Sequence, residues 1–317
     1  MQTDAKTYLV TGGAGFIGSH VVEALIKAGN RVKVVDNFST GKRNNLDGVR
    51  DRVELLEFSI TDRDKLNEAM QGVDYVFHIA ALASVPRSVD DPIGSNDNNV
   101  TGTLNVLLAA RDAGVKRVVY SGSSSAYGDS DVEYKTEDLL PRPLSPYAVA
   151  KLAAEHYCQA FSNVYGLETV TVRYFNVFGP RQDPLSTYAA VIPKFITLML
   201  KGESPRIEGD GLQSRDFTYI DNVVHGNLLA CHTPGVSGET FNIAVGGNIN
   251  LLNMVSELNR LMGTQIEPEF VAPRPGDVKH SRAAIDKAGR MLGYEPVVSF
   301  EDGLARTLAW YKTAMPV

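Results

Sequence analysis

Tyr147 and Lys151 are the two side chains whose types and spacing most directly suggest chemistry. They lie four residues apart in Ser145-Pro146-Tyr147-Ala148-Val149-Ala150-Lys151, so on a helix they stand one above the other. Pro146 suits the first turn of such a helix, where its missing N–H would have no intrahelical partner. A free tyrosine has a pKa of about 10, too high for a base at neutral pH. A lysine ammonium one turn away is expected to favour the phenolate and bring that value down. The pair is a candidate proton shuttle for a hydroxyl group. An ordinary amphipathic helix can carry the same spacing, so the reading depends on the segments that must position the pair.

The amino-terminal segment is the first of these. A short buried strand over 7–11 runs into Gly12-Gly13-Ala14-Gly15-Phe16-Ile17-Gly18. A helix over 19–28 is expected next, closed by Gly29-Asn30, then a strand ending in Asp36. Strand, glycine loop, helix, strand and acid make a dinucleotide-binding unit. The glycines let the backbone approach a pyrophosphate, and the helix amino-terminus offers it N–H groups and positive dipole. Asp36 stands where a carboxylate accepts hydrogen bonds from the adenosine ribose, which favours NAD over its 2′-phosphorylated form.

The alternation continues. Strands are expected over 53–58, 75–78, 117–121 and 169–174, and helices over 62–70, 93–113 and 146–165. His78 reads as a strand-end histidine satisfied by its neighbours. The small residues 79–83 form a loop where a cofactor could lie against backbone. This rhythm predicts an α/β fold with a doubly wound, mostly parallel sheet. After residue 180 the rhythm loosens, and 181–317 reads as a smaller mixed α/β domain capping the carboxyl edge of the sheet. Residues 217–247 partly return to the first domain, 1–180.

Bulk properties narrow the classes. The chain has 317 residues and a formal net charge of −6. That balance argues against nucleic acid or an anionic membrane as the main partner, and an anionic ligand would need cations gathered locally. The two cysteines, Cys158 and Cys231, lack a metal or redox spacing and read as buried structural thiols, and no metal site is expected. No apolar run approaches the ~20 residues of a membrane span, and the chain reads as cytoplasmic.

The spacing Gly-x-x-Gly-x-x-Gly, with Tyr147-x-x-x-Lys151 far downstream, resembles the short-chain dehydrogenase/reductase superfamily and its Rossmann domain. Residues 11–18, 123–129, 147–151, 173–180 and Arg215-Asp216-Phe217 resemble the UDP-hexose 4-epimerase family within it. Ser84-Val85-Pro86-Arg87-Ser88 and Tyr188-Ala189-Ala190-Val191-Ile192-Pro193-Lys194 are most similar to the UDP-N-acetylhexosamine branch.

The resemblance implies a set of roles. Tyr147 would be the base on the sugar 4-hydroxyl, Ser123 its assistant, and Lys151 the anchor of the nicotinamide ribose. Beyond Gly12, Gly15 and Asp36, cofactor contacts would come from Phe16, Ile17, Asn37, Phe38, Ser39, Gly41, Ser59, Ile60, Ala80, Ala81, Ala83, Asn99, Ser121, Tyr174 and Val177. The UDP-sugar would meet Ser84, Ser124, Ser125, Asn176, Ala190, Val191, Lys194, Arg206 and Ser281, with Arg215, Arg274 and Asp277 at or beside the diphosphate. A two-fold dimer through the helices 93–113 and 146–165 is implied as well.

Two relatives are set apart by one motif. In the family the 4,6-dehydratases carry an Asp-Glu pair, and the UDP-glucuronate decarboxylases a glutamate, where this chain has Ser124-Ser125. One departure stands out, since the family commonly has an aspartate before the adenine-contacting isoleucine and this chain has Ser59 before Ile60. The resemblance places Ser281 beside the sugar's C2 substituent, where in the family a small residue leaves space for a 2-N-acetyl group, though capping of a helix over 282–290 is a competing role for Ser281. Other readings are epimerisation of UDP-glucose/galactose or UDP-glucuronate, and, more remotely, a non-catalytic NAD-binding scaffold.

Overall fold

The computed structural model describes residues 5–130, 132–184, 190–272 and 280–314. The first half of the chain builds β1 (Thr7–Thr11), α1 (Phe16–Lys27), β2 (Arg31–Asp36), β3 (Val53–Glu57), α2 (Arg63–Ala69) and β4 (Tyr75–His78). Three helices follow, α3 (Val85–Asp90), α4 (Pro92–Asn96) and α5 (Gly102–Asp112), then β5 (Arg117–Ser123), β6 (Tyr134–Lys135) and α6 (Pro146–Tyr165). The second half comprises β7 (Glu168–Tyr174), β8 (Val177–Phe178), α7 (Val191–Leu200), β9 (Arg206–Glu208), β10 (Ser214–Arg215), β11 (Thr218–Tyr219) and α8 (Ile220–His232). It ends with β12 (Thr240–Ile243), β13 (Ile249–Asn250), α9 (Leu251–Met262), β14 (Glu269–Val271), β15 (His280–Ala283), α10 (Asp286–Leu292) and α11 (Phe300–Ala314).

Seven strands form one sheet in the order β3-β2-β1-β4-β5-β7-β12, with every neighbouring pair parallel. This is the doubly wound Rossmann architecture expected from the sequence. Its strands read as continuous apolar runs because helices cover both faces, and all five residues of β1 are buried. One core lies on the α2, α5 and α6 side, around Leu66, Val106 and Phe161. The other lies on the α1 and α8 side, around Val21, Val223 and Phe241. Strand order reverses between β1 and β4, which opens the crevice where such sheets bind ligands. Smaller sheets, β13-β10-β15-β6, β8-β11 and β9-β14, stand beyond that edge.

Three expectations are corrected. The helix expected over 19–28 starts earlier, at Phe16, because Gly15 is already extended and serves as its N-cap. The helix expected over 93–113 is not uniform, since Asp97–Thr101 forms a π turn between α4 and α5. There the Asn99 carboxamide turns away to bond the Leu82 N–H at 2.9 Å and its carbonyl at 3.3 Å. Ser281 does not cap a helix: it lies in β15, where its carbonyl accepts the Asp216 N–H at 3.0 Å, and the helix begins only at Asp286.

The helix over Pro146–Tyr165 agrees with its sequence signals. Ser145 caps it by accepting the Ala148 N–H at 3.2 Å, Pro146 occupies the first turn, and Gly166 ends it at φ 69°. No helix among the described residues is long and apolar enough to cross a membrane.

Candidate active site

The glycine loop after β1 is built so tightly that side chains are excluded. A Cβ on Gly18 would lie 2.1 Å from the Gly12 carbonyl oxygen, and one on Gly12, at φ +68°, would lie 2.8 Å from the Ala80 backbone. Asp36 ends β2 and staples this loop, one carboxylate oxygen accepting the Ala14 N–H at 2.9 Å and the other the Phe38 N–H at 2.8 Å. Burial raises its pKa, and those two hydrogen bonds oppose the rise. A cavity of about 260 Å³ opens here, with Gly12, Gly15, Asp36 and Ser39 on one side and Ser59, Ile60, Ala80 and Ala83 on others. The α1 amino-terminus, the Cβ-free cradle and the carboxylate at the end of β2 fit a dinucleotide.

His78 holds the floor between β1 and β4. Thr103 gives its hydroxyl proton to the Asn99 carbonyl at 2.7 Å, so it accepts from His78 Nε2 at 2.9 Å. Thr11 accepts the Ile79 and Ala80 N–H groups at 3.2 Å and donates to His78 Nδ1 at 2.7 Å. The ring is therefore the neutral Nε2–H tautomer, and burial, helped by the Lys151 charge, holds its pKa down at about 3. It is a satisfied structural histidine.

A second cavity, of about 730 Å³, adjoins the first through Ile17 and Ala83. Tyr147 and Ser123 face it from α6 and the end of β5, together with Ser124, Ser125, Asn176, Val177 and Ser281. The Ser123 hydroxyl lies 2.8 Å from Ser125 Oγ and faces the same cavity as the Tyr147 phenol. Lys151 is buried one turn deeper, with Nζ 4.6 Å from the centre of the Tyr120 ring. Burial pulls the Lys151 pKa down to about 8. The expectation that Lys151 lowers the Tyr147 pKa is corrected in this geometry. Burial pushes the phenol above its ordinary value, and the opposing influence is the hydrogen bond from Ser123.

Asn176 and Arg215 are shared with a third cavity of about 240 Å³, which gathers Lys194 and Arg206 as well. An acidic protein thus collects three cations at the far end of the site, a setting suited to a diphosphate. Arg206 is steadied by Glu269 at 2.8 Å. The strand that presents Arg215 is held by the fully buried Asp216 beside it. Its carboxylate accepts N–H groups of Gly246 at 2.9 Å, Val245 at 3.1 Å and Ala283 at 3.3 Å.

Comparison with known proteins agrees with this geometry. The model of the NAD dependent epimerase/dehydratase family matches residues 8–244. The chain belongs to that family. A putative UDP-glucose 4-epimerase of Methanocaldococcus jannaschii is 37% identical over 96% of this chain and 98% of its own length. The structure of a UDP-N-acetylglucosamine 4-epimerase from Methanobrevibacter ruminantium, in complex with UDP-N-acetylmuramic acid, superposes with a TM-score of 0.94. It is 40% identical, covering 99% of this chain and 100% of that one. The Thermotoga maritima UDP-glucose 4-epimerase with UDP-glucose gives a TM-score of 0.92 at 40% identity, covering 98% and 99%. NAD is the cofactor of this epimerase/dehydratase chain.

Not every sequence candidate reaches a cavity. Tyr174 and Val177 line the second cavity and not the dinucleotide one. Ser121 is buried beneath, bonded to the Tyr174 hydroxyl at 2.9 Å, and Asn99 acts on the cofactor loop through Leu82. Phe38, at φ 56°, carries Arg43 over its ring at 4.1 Å, and Gly41 packs against the Asp36 carboxylate. Ser84 caps α3 by accepting the Arg87 N–H at 3.2 Å and does not line the substrate cavities. Arg274, Asp277 and the Tyr188-Ala189 end of the branch motif lie outside the described residues.

Sequence reasoning in turn missed Thr40, Phe58 and Asn98 in the dinucleotide cavity and Gln213 and Leu251 in the third. Thr40 sits inside a turn whose neighbours were named, so proximity could have found it. Gln213 and Leu251 arrive from separate elements, with no local signal.

Asp216 gives this chain a titration of its own. Burial raises its pKa to about 6, against about 3.9 for an aspartate in an unfolded chain. Between those values the folded state keeps a proton that the unfolded state has lost. The stabilising contribution is complete below the lower value and disappears as pH rises through the upper one. Denaturant unfolding of wild type and Asp216→Asn checks this, with the advantage of wild type expected to shrink as pH is raised from about 4 to about 6. A stability difference independent of pH in that window would contradict the assignment.

Proposed function

We propose that the protein interconverts the C4 epimers of a UDP-hexose, and that UDP-GlcNAc and UDP-GalNAc are the substrates it fits best. The observation that carries this reading is the confluence of three cavities. The phenol of Tyr147 stands where the cavity for a dinucleotide adjoins one that leads to Arg215, Lys194 and Arg206. A sugar linked to a diphosphate is therefore held with its ring beside both the base and the cofactor. Tyr147 accepts the proton of the 4-hydroxyl, and Ser123, which faces the same cavity, hydrogen-bonds the same oxygen. Lys151, buried one turn deeper in the same helix, would hold the nicotinamide ribose hydroxyls. When bound, NAD would supply a reversible acceptor for the C4 hydrogen and its electron pair. The 4-keto sugar turns over about its link to the diphosphate, for which a cavity of about 730 Å³ has room. Tyr147 then gives its proton back to the oxygen, leaving no net oxidation.

Ser124-Ser125 supports epimerisation over elimination, because a dehydratase needs a carboxylate there to work on the sugar beyond C4. Ser281 faces the same cavity from β15 and leaves space for a 2-N-acetyl group. We also propose a two-fold dimer, in which α6 and the helices before it pair with their copies. Val149 is 52% exposed and Tyr157 39% on the outer side of α6, and Val89 and Ile93 are exposed beside it.

Three measurements test these proposals. Tyr147→Phe keeps the ring packing and bound NAD but should lose about 10²–10⁴ in turnover. Turnover near wild type would reject Tyr147 as the base. Ser281→Tyr should abolish turnover of UDP-GlcNAc by filling the space of the N-acetyl group while sparing UDP-galactose. Parental rates on UDP-GlcNAc would show that Ser281 is not the gate, and parallel assays with UDP-glucose and UDP-glucuronate rank the sugars. Light scattering should give a dimer mass at micromolar protein, and a monomer mass would exclude the helical dimer.

A further inference from the structure

The first turn of α6 has more amide protons than its own cap can take. Pro146 has none, and Ser145 takes that of Ala148 at 3.2 Å. The N–H of Tyr147 itself is received by Ser88 Oγ, from α3, at 3.0 Å. Ser88 is 2% exposed, and its own proton goes to the Val85 carbonyl at 2.7 Å, so a lone pair is left aimed at Tyr147. The backbone of the base is thus tied to a helix that grows directly from the loop lining the dinucleotide cavity.

The other end of that loop is fixed as well. Asn99 clamps Leu82 through its N–H and carbonyl, and Ala83 lines both the dinucleotide and the sugar cavity. Val85, in the turn that takes the Ser88 proton, lines the sugar cavity. The segment 82–88 therefore spans from the cofactor wall to the backbone of Tyr147, with a polar anchor at each end. We propose that Ser88 is a positioning residue for Tyr147, seating the first turn of α6 so that the phenol stays aligned with the sugar hydroxyl and the cofactor wall. Ser88 lines none of the three cavities.

The proposal rests on the epimerase reading and makes a demand of its own. Removing the hydroxyl leaves a buried N–H at Tyr147 without its acceptor and frees the turn to shift. Small displacements of a catalytic group act on the chemical step more than on binding made elsewhere, here by Arg215 and its neighbours.

The experiment uses the whole protein with its NAD and a UDP-sugar that the wild type turns over. Ser88→Ala and Ser88→Thr are compared for kcat, KM, bound NAD and folded fraction. Ser88→Ala is expected to lower kcat on the order of 10-fold, with KM within about twofold of wild type and NAD content unchanged. Ser88→Thr, which restores the acceptor, is expected to recover kcat to within about twofold of wild type. Wild-type kcat in Ser88→Ala overturns the proposal. So does a loss in both variants that follows the folded fraction, which would make Ser88 a packing residue. Wild type that turns over no UDP-sugar removes the epimerase reading and this proposal together, whereas active wild type with an indifferent Ser88→Ala removes this one alone.

Discussion

A buried ion pair between α6 and β7 is the interaction on which the site depends. Arg173 meets Glu155 through two hydrogen bonds, at 2.6 and 3.0 Å, with both side chains 3% exposed. Glu155 sits one turn beyond Lys151, so the pair sets how the catalytic helix lies on the sheet. The same guanidinium stands 4.6 Å over the Tyr127 ring in the serine loop, and the Tyr127 hydroxyl bonds Asn242 of β12 at 2.7 Å. One buried charge thus ties together the helix carrying Tyr147, the loop carrying Ser123 and the last strand of the sheet. Losing one partner of such a pair strands a charge in a low-dielectric interior and typically costs about 3–5 kcal/mol.

The sugar end of the site is held by a different device. Asp216 is fully buried, and its carboxylate accepts backbone N–H groups of β15 and the loop after β12. Arg215 and Ser281 lie in register on neighbouring strands beside it. Fixing that register sets the distance between the Arg215 guanidinium and Ser281, which face the same cavity. Both devices follow one rule, in which a buried polar group held by several directed hydrogen bonds fixes geometry more sharply than apolar packing does.

Charge is distributed to match. The chain is acidic overall, yet Lys194, Arg206 and Arg215 converge on one small cavity. The catalytic zone itself is lined largely by serines and small residues, with the phenols of Tyr147 and Tyr174 among them and Lys151 buried behind. Such a setting takes up a sugar hydroxyl proton with no carboxylate among its described lining residues, consistent with turnover at C4.

Much of this protein was legible in its sequence alone. The parallel sheet follows from apolar runs alternating with amphipathic helices, and the dinucleotide crevice from glycines that no other residue could replace beside Ala80 and the Gly12 carbonyl. The helix of Tyr147 and Lys151 was legible from Pro146 in its first turn, because the missing N–H of proline is a local matter. What sequence could not decide was set by contacts between distant segments. The π turn at Asn99 exists because its carboxamide finds Leu82, and Ser281 is a strand residue because β10 pairs with its backbone. The protonation balance of Tyr147 depends on burial and on the direction of Ser123, and neither is a function of spacing along the chain. Local propensity writes the elements, whereas the register between them and the dielectric around each charge exist only once the chain has packed.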